Sequence, residues 1–371
     1  MSSAKNIIES LLVDSGITIN GEKSYDPHVY NDDFYRRVLS QGSLGLGESY
    51  MDGWWDVERL DELVARVLCA GLDMKIRSPQ FVVNSMWAYL TNLQSKHRAF
   101  QIGEEHYDIG NDLYERMLDT RMTYTCGYWK DAKNLDEAQE AKLDLVCQKI
   151  GLRGGEHILD IGCGWGSFAI FAAERYGARV TGITVSKEQV FLATKRAGNL
   201  PVTFRLLDYR DKNDGPFDHV VSLGMFEHVG YKNYRTYMEV VYRVLKPNGL
   251  FLLHTIGGNE SVRTSDPWFH RYIFPNGMLP SIVQIGKSIE RLYVMEDWHN
   301  FGADYDKTLM AWFRNFDEAW PTLKKKYDAR SYRMWKYYLL SMAGAFRARK
   351  NQLWQIVLSK RGVPGGYISL R

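Results

Sequence analysis

Apolar positions along the chain follow two different periods. Up to residue 95 the spacing is helical: Leu60, Leu63, Val64, Val67 and Leu68 share one face, and a second helix is predicted over 81–90. The run 42–55 mixes glycine turns with apolar and aromatic side chains, ending in Trp54 and Trp55. It reads as a loop that either touches a membrane or packs as buried structure. A polar stretch at 92–98 marks a linker, assigned to 96–103. From about Glu104 short apolar runs alternate with helical patterns. Strands are predicted at 158–161, 178–183, 202–207, 219–223 and 250–255, helices over 305–320 and 331–345, and a final strand at 352–359. Asp136 is the predicted N-cap of a helix ending near Ile150. Such alternation implies an α/β, Rossmann-like core with a doubly wound parallel sheet over 104–371, preceded by a small helical domain over 1–95. In that architecture ligands bind beyond the carboxyl ends of the strands.

Composition narrows the class. With 371 residues and 45% hydrophobic content the chain can build more than one packed domain. Cys69, Cys126, Cys147 and Cys163 form no C-x-x-C pair, so free thiols and a cytoplasmic setting are expected, and no apolar run is long enough to span a bilayer. No metal site is expected. A net charge of +3 gives no case for nucleic acid, but between Pro321 and Arg371 there are 12 Lys or Arg against one acid, Asp328. That end either meets an anionic surface or is a solvated basic face. The 11 Trp and 23 Tyr exceed what a core needs, and amphipathic rings serve lipids and cations.

The most informative stretch is the strand 158–161 breaking into Gly162-Cys163-Gly164-Trp165-Gly166 before a helix. The glycines let backbone approach a ligand where a Cβ would clash. A nicotinamide-binding turn would place an acid about 20 residues on, yet the chain there reads Gly182-Ile183-Thr184-Val185-Ser186. Asp160 instead sits just before the first glycine, a form that resembles motif I of the S-adenosylmethionine (SAM) methyltransferases.

Seven runs, in order, resemble one family: 106–112, 124–129, 159–166, 184–189, 224–230, 253–257 and 302–305. They are similar to the cyclopropane-fatty-acyl-phospholipid synthases, close to the mycolic-acid cyclopropane synthases, and the likeness of 42–55 points to the phospholipid-acting branch. The resemblance implies transfer of a methylene group from SAM to a cis double bond in a phospholipid acyl chain, through a carbocation deprotonated by bound bicarbonate. It assigns the bicarbonate cage to Cys126, Glu227, His254, Ile256 (by its backbone) and Tyr305. Near SAM it places Tyr124, Thr125, Asp160, Gly162, Cys163, Gly164, Trp165, Gly166, Thr184, Ser186, Gln189, Asp208 and Tyr209. Gln189 then stands where a ribose acid is usual.

The residue types suit that chemistry. Thiol, imidazole and phenol donate to an anion, and a carboxylate accepts its hydroxyl. Taken singly, Cys126 reads as a small packed hydrophobe, His254 as a core histidine and Tyr305 as helix-start packing; Glu227, an acid directly after an apolar strand, is costly to leave unpaired. Met342 stands where some relatives carry cysteine, so no thiol acts there. The resemblance further implies a homodimer, peripheral on an anionic bilayer at the inner face of the membrane. Three rival readings stand beside it: a methyltransferase ending in a branched or hydroxylated product, a lipid-surface protein without catalysis, and a nicotinamide oxidoreductase.

Overall fold

The structure, a computed structural model, describes residues 3–75, 110–212 and 214–371. The helix expected over 81–90, the linker, both boundaries around it and residues 106–109 of the first family run lie outside them. The chain divides into two compact units.

One unit is built on a sheet of seven strands: β1 His157–Ile161, β2 Arg179–Thr184, β3 Val202–Leu206, β4 His219–Leu223, β5 Leu250–Gly258, β6 Val294–Asn300 and β7 Asn351–Ser359. Their order is β3-β2-β1-β4-β5-β7-β6. The pairs from β3 through β5 are parallel, and β6 runs antiparallel to β7. Alternate residues of a strand face opposite sides, and here both sides are apolar. Leu159, Ile161, Phe251 and Leu253 pack against the helix Tyr234–Val244, whereas Ile158, Val180, Val221 and Leu252 pack against the helices Leu135–Lys149 and Ser167–Tyr176. The doubly wound α/β expectation holds.

Strand β6 was not predicted, because its exposed edge carries polar residues and a bulge between Met295 and Asp297 in place of an apolar run. The helix before β1 is capped by Asn134, whose side chain accepts the Glu137 N–H at 2.9 Å. Asp136 lies one turn in, where its carboxylate accepts the Thr120 N–H and hydroxyl, both at 2.8 Å.

The other unit gathers the N-terminal helices with Arg263–Asn276 and Tyr305–Asn351. Helix Ala329–Arg347 packs on Leu60–Cys69 so closely that a Cβ on Gly344 would lie 2.4 Å from the Asp61 carbonyl oxygen. The run 42–55 is not a loop: Ser43–Met51 is helical, and Trp55 is 1% exposed with its indole N–H donating to the Ser49 hydroxyl at 3.1 Å. Its apolar side chains serve packing, which removes Trp55 as a membrane contact.

Candidate active site

Gly162, Gly164 and Gly166 have φ of +80°, +54° and +82°, a region that costs an L side chain roughly 1–2 kcal/mol. A Cβ on Gly162 would sit 2.6 Å from that of Met225, and one on Gly166 2.6 Å from the Phe204 ring, while around Gly164 nothing lies within 4 Å. Two glycines thus allow close packing and the third leaves open space. The N–H groups of Gly162 and Cys163 both donate to the Ile183 carbonyl, at 2.9 and 3.1 Å, and so tie the turn to β2. Asp160 is buried at the end of β1, with Oδ2 lacking a hydrogen-bond partner among the described residues. Burial pushes its carboxyl up to about 7, against the pull of Lys142.

Beyond the ends of β1 to β4 a cleft opens, walled by Tyr124, Thr125, Asp160, Gly162, Cys163, Gly164, Trp165, Thr184, Gln189, Asp208 and Tyr209. Gly166 and Ser186 stand behind that wall. Ser186 caps the helix Lys187–Ala197, accepting the Gln189 N–H at 3.3 Å. The Thr184 hydroxyl donates to Gln189 Oε1 at 2.7 Å, which leaves the Gln189 amide N–H groups for a ligand. Asp208 is held by Arg210 through both oxygens, at 2.7 and 2.6 Å, and keeps lone pairs for a further donor. Tyr124 and Trp165 both pack on Tyr114, at ring distances of 5.3 and 4.9 Å, and the Trp165 indole donates to Asn111 at 3.1 Å.

At the end of β4, Gly224 (φ +72°) turns the chain into Phe226–His228. Glu227 is 8% exposed; its Oε1 accepts the Ile256 N–H at 2.6 Å and its Oε2 has no partner among the described residues. Burial pushes this carboxyl up to about 7, with the Ile256 N–H opposing. The backbone of Ile256 therefore positions Glu227. The Gly224 N–H donates to the His254 carbonyl at 2.9 Å, sewing the turn to β5. His254 Nδ1 faces Gln355 Nε2 at 3.3 Å, and its Nε2 is buried with no partner among the described residues. Burial, reinforced by the charges of Lys142 and Lys149, holds this imidazole neutral. With Gln355 donating to Nδ1, the proton sits on Nε2.

Cys126 is fully buried and donates to the Gly127 carbonyl at 3.2 Å. Its neighbour Thr125 packs on Gly224, where a Cβ would lie 2.6 Å from the threonine methyl. Gln139 and Lys142, three residues apart on one helix, fasten this segment: Gln139 donates to the Thr125 carbonyl at 2.7 Å and Lys142 to the Thr125 hydroxyl at 2.6 Å. Tyr305 belongs to the other compact unit, buried with its ring 5.9 Å from Trp312 and 4.6 Å from Phe346. Sequence reasoning missed Arg210 in the cleft wall and Gln139 and Lys142, which bond to Thr125; Met225 and His228, also in the wall, lie in the run 224–230 but were not assigned to the site. His228, half-buried in the wall and pushed down to about 4 by desolvation, is neutral. Of these only His228 carried a signal, through its place after β4.

A sheet of this order, with a glycine turn after its first strand and a cleft beyond the strand ends, has the architecture of a SAM-dependent methyltransferase. The family described as mycolic acid cyclopropane synthetase matches residues 94–356, and the chain belongs to it. It is 55% identical over 363 residues to the cyclopropane-fatty-acyl-phospholipid synthase of Escherichia coli K12, covering 97% of this chain and 94% of that protein. It is 32% identical to the tuberculostearic acid methyltransferase UfaA1 of Mycobacterium tuberculosis, covering 90% and 82%. Among solved structures, the mycolic acid cyclopropane synthase CmaA1 complexed with SAH and CTAB aligns with a TM-score of 0.65 at 29% identity, over 70% of this chain and 98% of that one.

Proposed function

We propose that this enzyme turns the cis double bond of an unsaturated phospholipid acyl chain into a cyclopropane ring, with bicarbonate held by Cys126, Glu227, His254 and Ile256. The observation that carries the reading is a pair of orphaned buried atoms of opposite sense, the acceptor Glu227 Oε2 and the donor His254 Nε2. Bicarbonate offers both a hydroxyl to donate and oxygens to accept, so it suits the pair. When bound, SAM supplies an electrophilic methyl and bicarbonate a weak base: the alkene π pair forms the new C–C bond as the C–S pair returns to sulfur, and ring closure sends a methyl proton to the anion.

The protein's part is positioning and exclusion. Ile256 aims Glu227, Gln355 sets the His254 tautomer, and Gln139 and Lys142 hold Thr125 beside the cleft. Cys126, Glu227 and His254 are each less than a tenth exposed, which keeps water from a cation that it would trap.

The test is mass spectrometry of acyl chains after incubation with SAM and vesicles carrying cis-monounsaturated phospholipids. Gain of one CH₂ with loss of the alkene, absent in Glu227→Gln, supports the reading. The likeness to UfaA1 favours a second one, a branched-methyl product. Gain of carbon with the alkene retained would select it.

A bilayer substrate requires docking. No helix among the described residues is long and apolar enough to cross a membrane. Lys324, Lys325 and Lys326 stand exposed in one turn and offer charge to anionic lipid. Attraction of this kind is screened over about 8–10 Å, so vesicle binding should fall with salt and with Lys324→Glu/Lys325→Glu; equal binding to neutral vesicles would remove the idea. Sedimentation of the purified enzyme tests the homodimer.

A further inference from the structure

Three lysines among the described residues are buried, Lys142, Lys149 and Lys212, at 0%, 1% and 0% exposure. Lys149 lies 3.6 Å from Asp297 and Lys212 2.7 Å from Asp214. Lys142 has no described carboxylate within 4.0 Å; its ammonium donates to the Thr125 hydroxyl instead. A cation removed from water without a counter-ion is strongly disfavoured. The acids whose charge reaches it, Asp119 and Asp160, are themselves pushed toward protonation by burial. The protein therefore gives Lys142 no carboxylate in direct contact behind the segment that carries Cys126.

The cage lacks the complementary sign. His254 is neutral, and Glu227, once ionised, repels an anion. Neutral donors alone would hold a monoanion weakly beside a carboxylate. We propose that Lys142 is the counter-charge of the anion bound at Cys126, Glu227 and His254, acting through space from behind Thr125 as a positioning residue. The inference rests on the bicarbonate reading above. It assigns to the helix Leu135–Lys149 a part in anion affinity that none of the family runs contains.

The test measures binding of ¹³C-bicarbonate by NMR to enzyme saturated with S-adenosylhomocysteine. Lys142→Gln keeps a donor for Thr125 without the charge, and Lys142→Met removes both. Lys142→Gln should weaken bicarbonate about tenfold or more with the smaller effect on S-adenosylhomocysteine affinity, because Thr125 keeps a donor; Lys142→Met should weaken bicarbonate at least as much and also loosen Thr125. Bicarbonate binding equal to wild type in either variant overturns the inference and leaves the cage reading standing. An equal loss of both ligands reduces Lys142 to a structural role and also overturns it. A wild-type enzyme that neither binds bicarbonate nor depends on it in CO₂-depleted buffer overturns the cage reading itself. Should neither variant fold, wild-type affinity is followed upward in pH, since burial lowers Lys142 to about 8 while Asp119, Asp160 and Cys126 oppose. Loss of binding above that value supports the counter-charge, and a flat profile rejects it.

Discussion

Glu227 and Asp160 are carboxyls that folding moves to about 7 from ordinary values of 4.5 and 3.8, in both cases through burial. A folded pKa above the unfolded one means that the native state binds the proton more tightly. Stability is then highest below the unfolded pKa and declines as pH rises to about 7. Glu227→Gln removes one of these acids, so the ligand-free variant should exceed wild type by about 1–3 kcal/mol at pH 8 and match it near pH 4.5. Urea midpoints at the two pH values check this; a gain at the low pH alone would contradict the sign. If cyclopropanation uses the ionised carboxylate, as proposed, it should fall as pH drops through about 7 and be lost in the same variant. Both acids were legible in the sequence from their places at strand ends. Lys142 was not, because a lysine three residues from a glutamine on a helix looks like any solvated face until the fold buries it.

Strands β1, β2, β4 and β5 were legible because each is a short apolar run facing helices on both sides, β3 because its apolar residues alternate along an edge, and β4 matches its predicted bounds. The glycine turn was legible because its constraint is local, and its members separate by environment. Gly162→Ala meets both a positive φ and Met225, so a cost of about 2–4 kcal/mol and a marked loss of S-adenosylhomocysteine affinity are expected. Gly164→Ala meets only the backbone term, roughly 1–2 kcal/mol. Denaturation and calorimetric titration of the two proteins side by side would show this order, and equal costs would refute it. The helix Ser43–Met51 was misread because its glycines suggested turns. Gly45 and Gly47 are there for contact: a Cβ would lie 2.4 Å from the Arg37 carbonyl oxygen and 2.3 Å from Trp268.

Across the whole molecule, charge is spent differently from how it runs along the chain. Of the cations after Pro321, Arg330, Arg333, Arg347, Lys350 and Arg371 form ion pairs with Asp52, Asp56, Asp61 with Asp306, Asp73 and Asp297. The basic stretch therefore serves internal structure as much as any surface. Arg347 joins Asp61, which is nearly buried, to Asp306 at 2.7 and 2.9 Å. Arg347→Met should cost about 1–2 kcal/mol, since Asp61 keeps its paired bonds from Arg59, with S-adenosylhomocysteine affinity retained; unchanged melting would show the network to be idle. By itself the sequence determined the α/β core, the glycine turn, the strand-end acids and the family, since each depends on residues close together in the chain. Tertiary structure alone decided that helices from both ends share one unit, that Ile256 aims Glu227, and that Lys142 lies buried with no described carboxylate within 4.0 Å. Those facts depend on which distant groups are removed from water together, and local pattern carries no record of that.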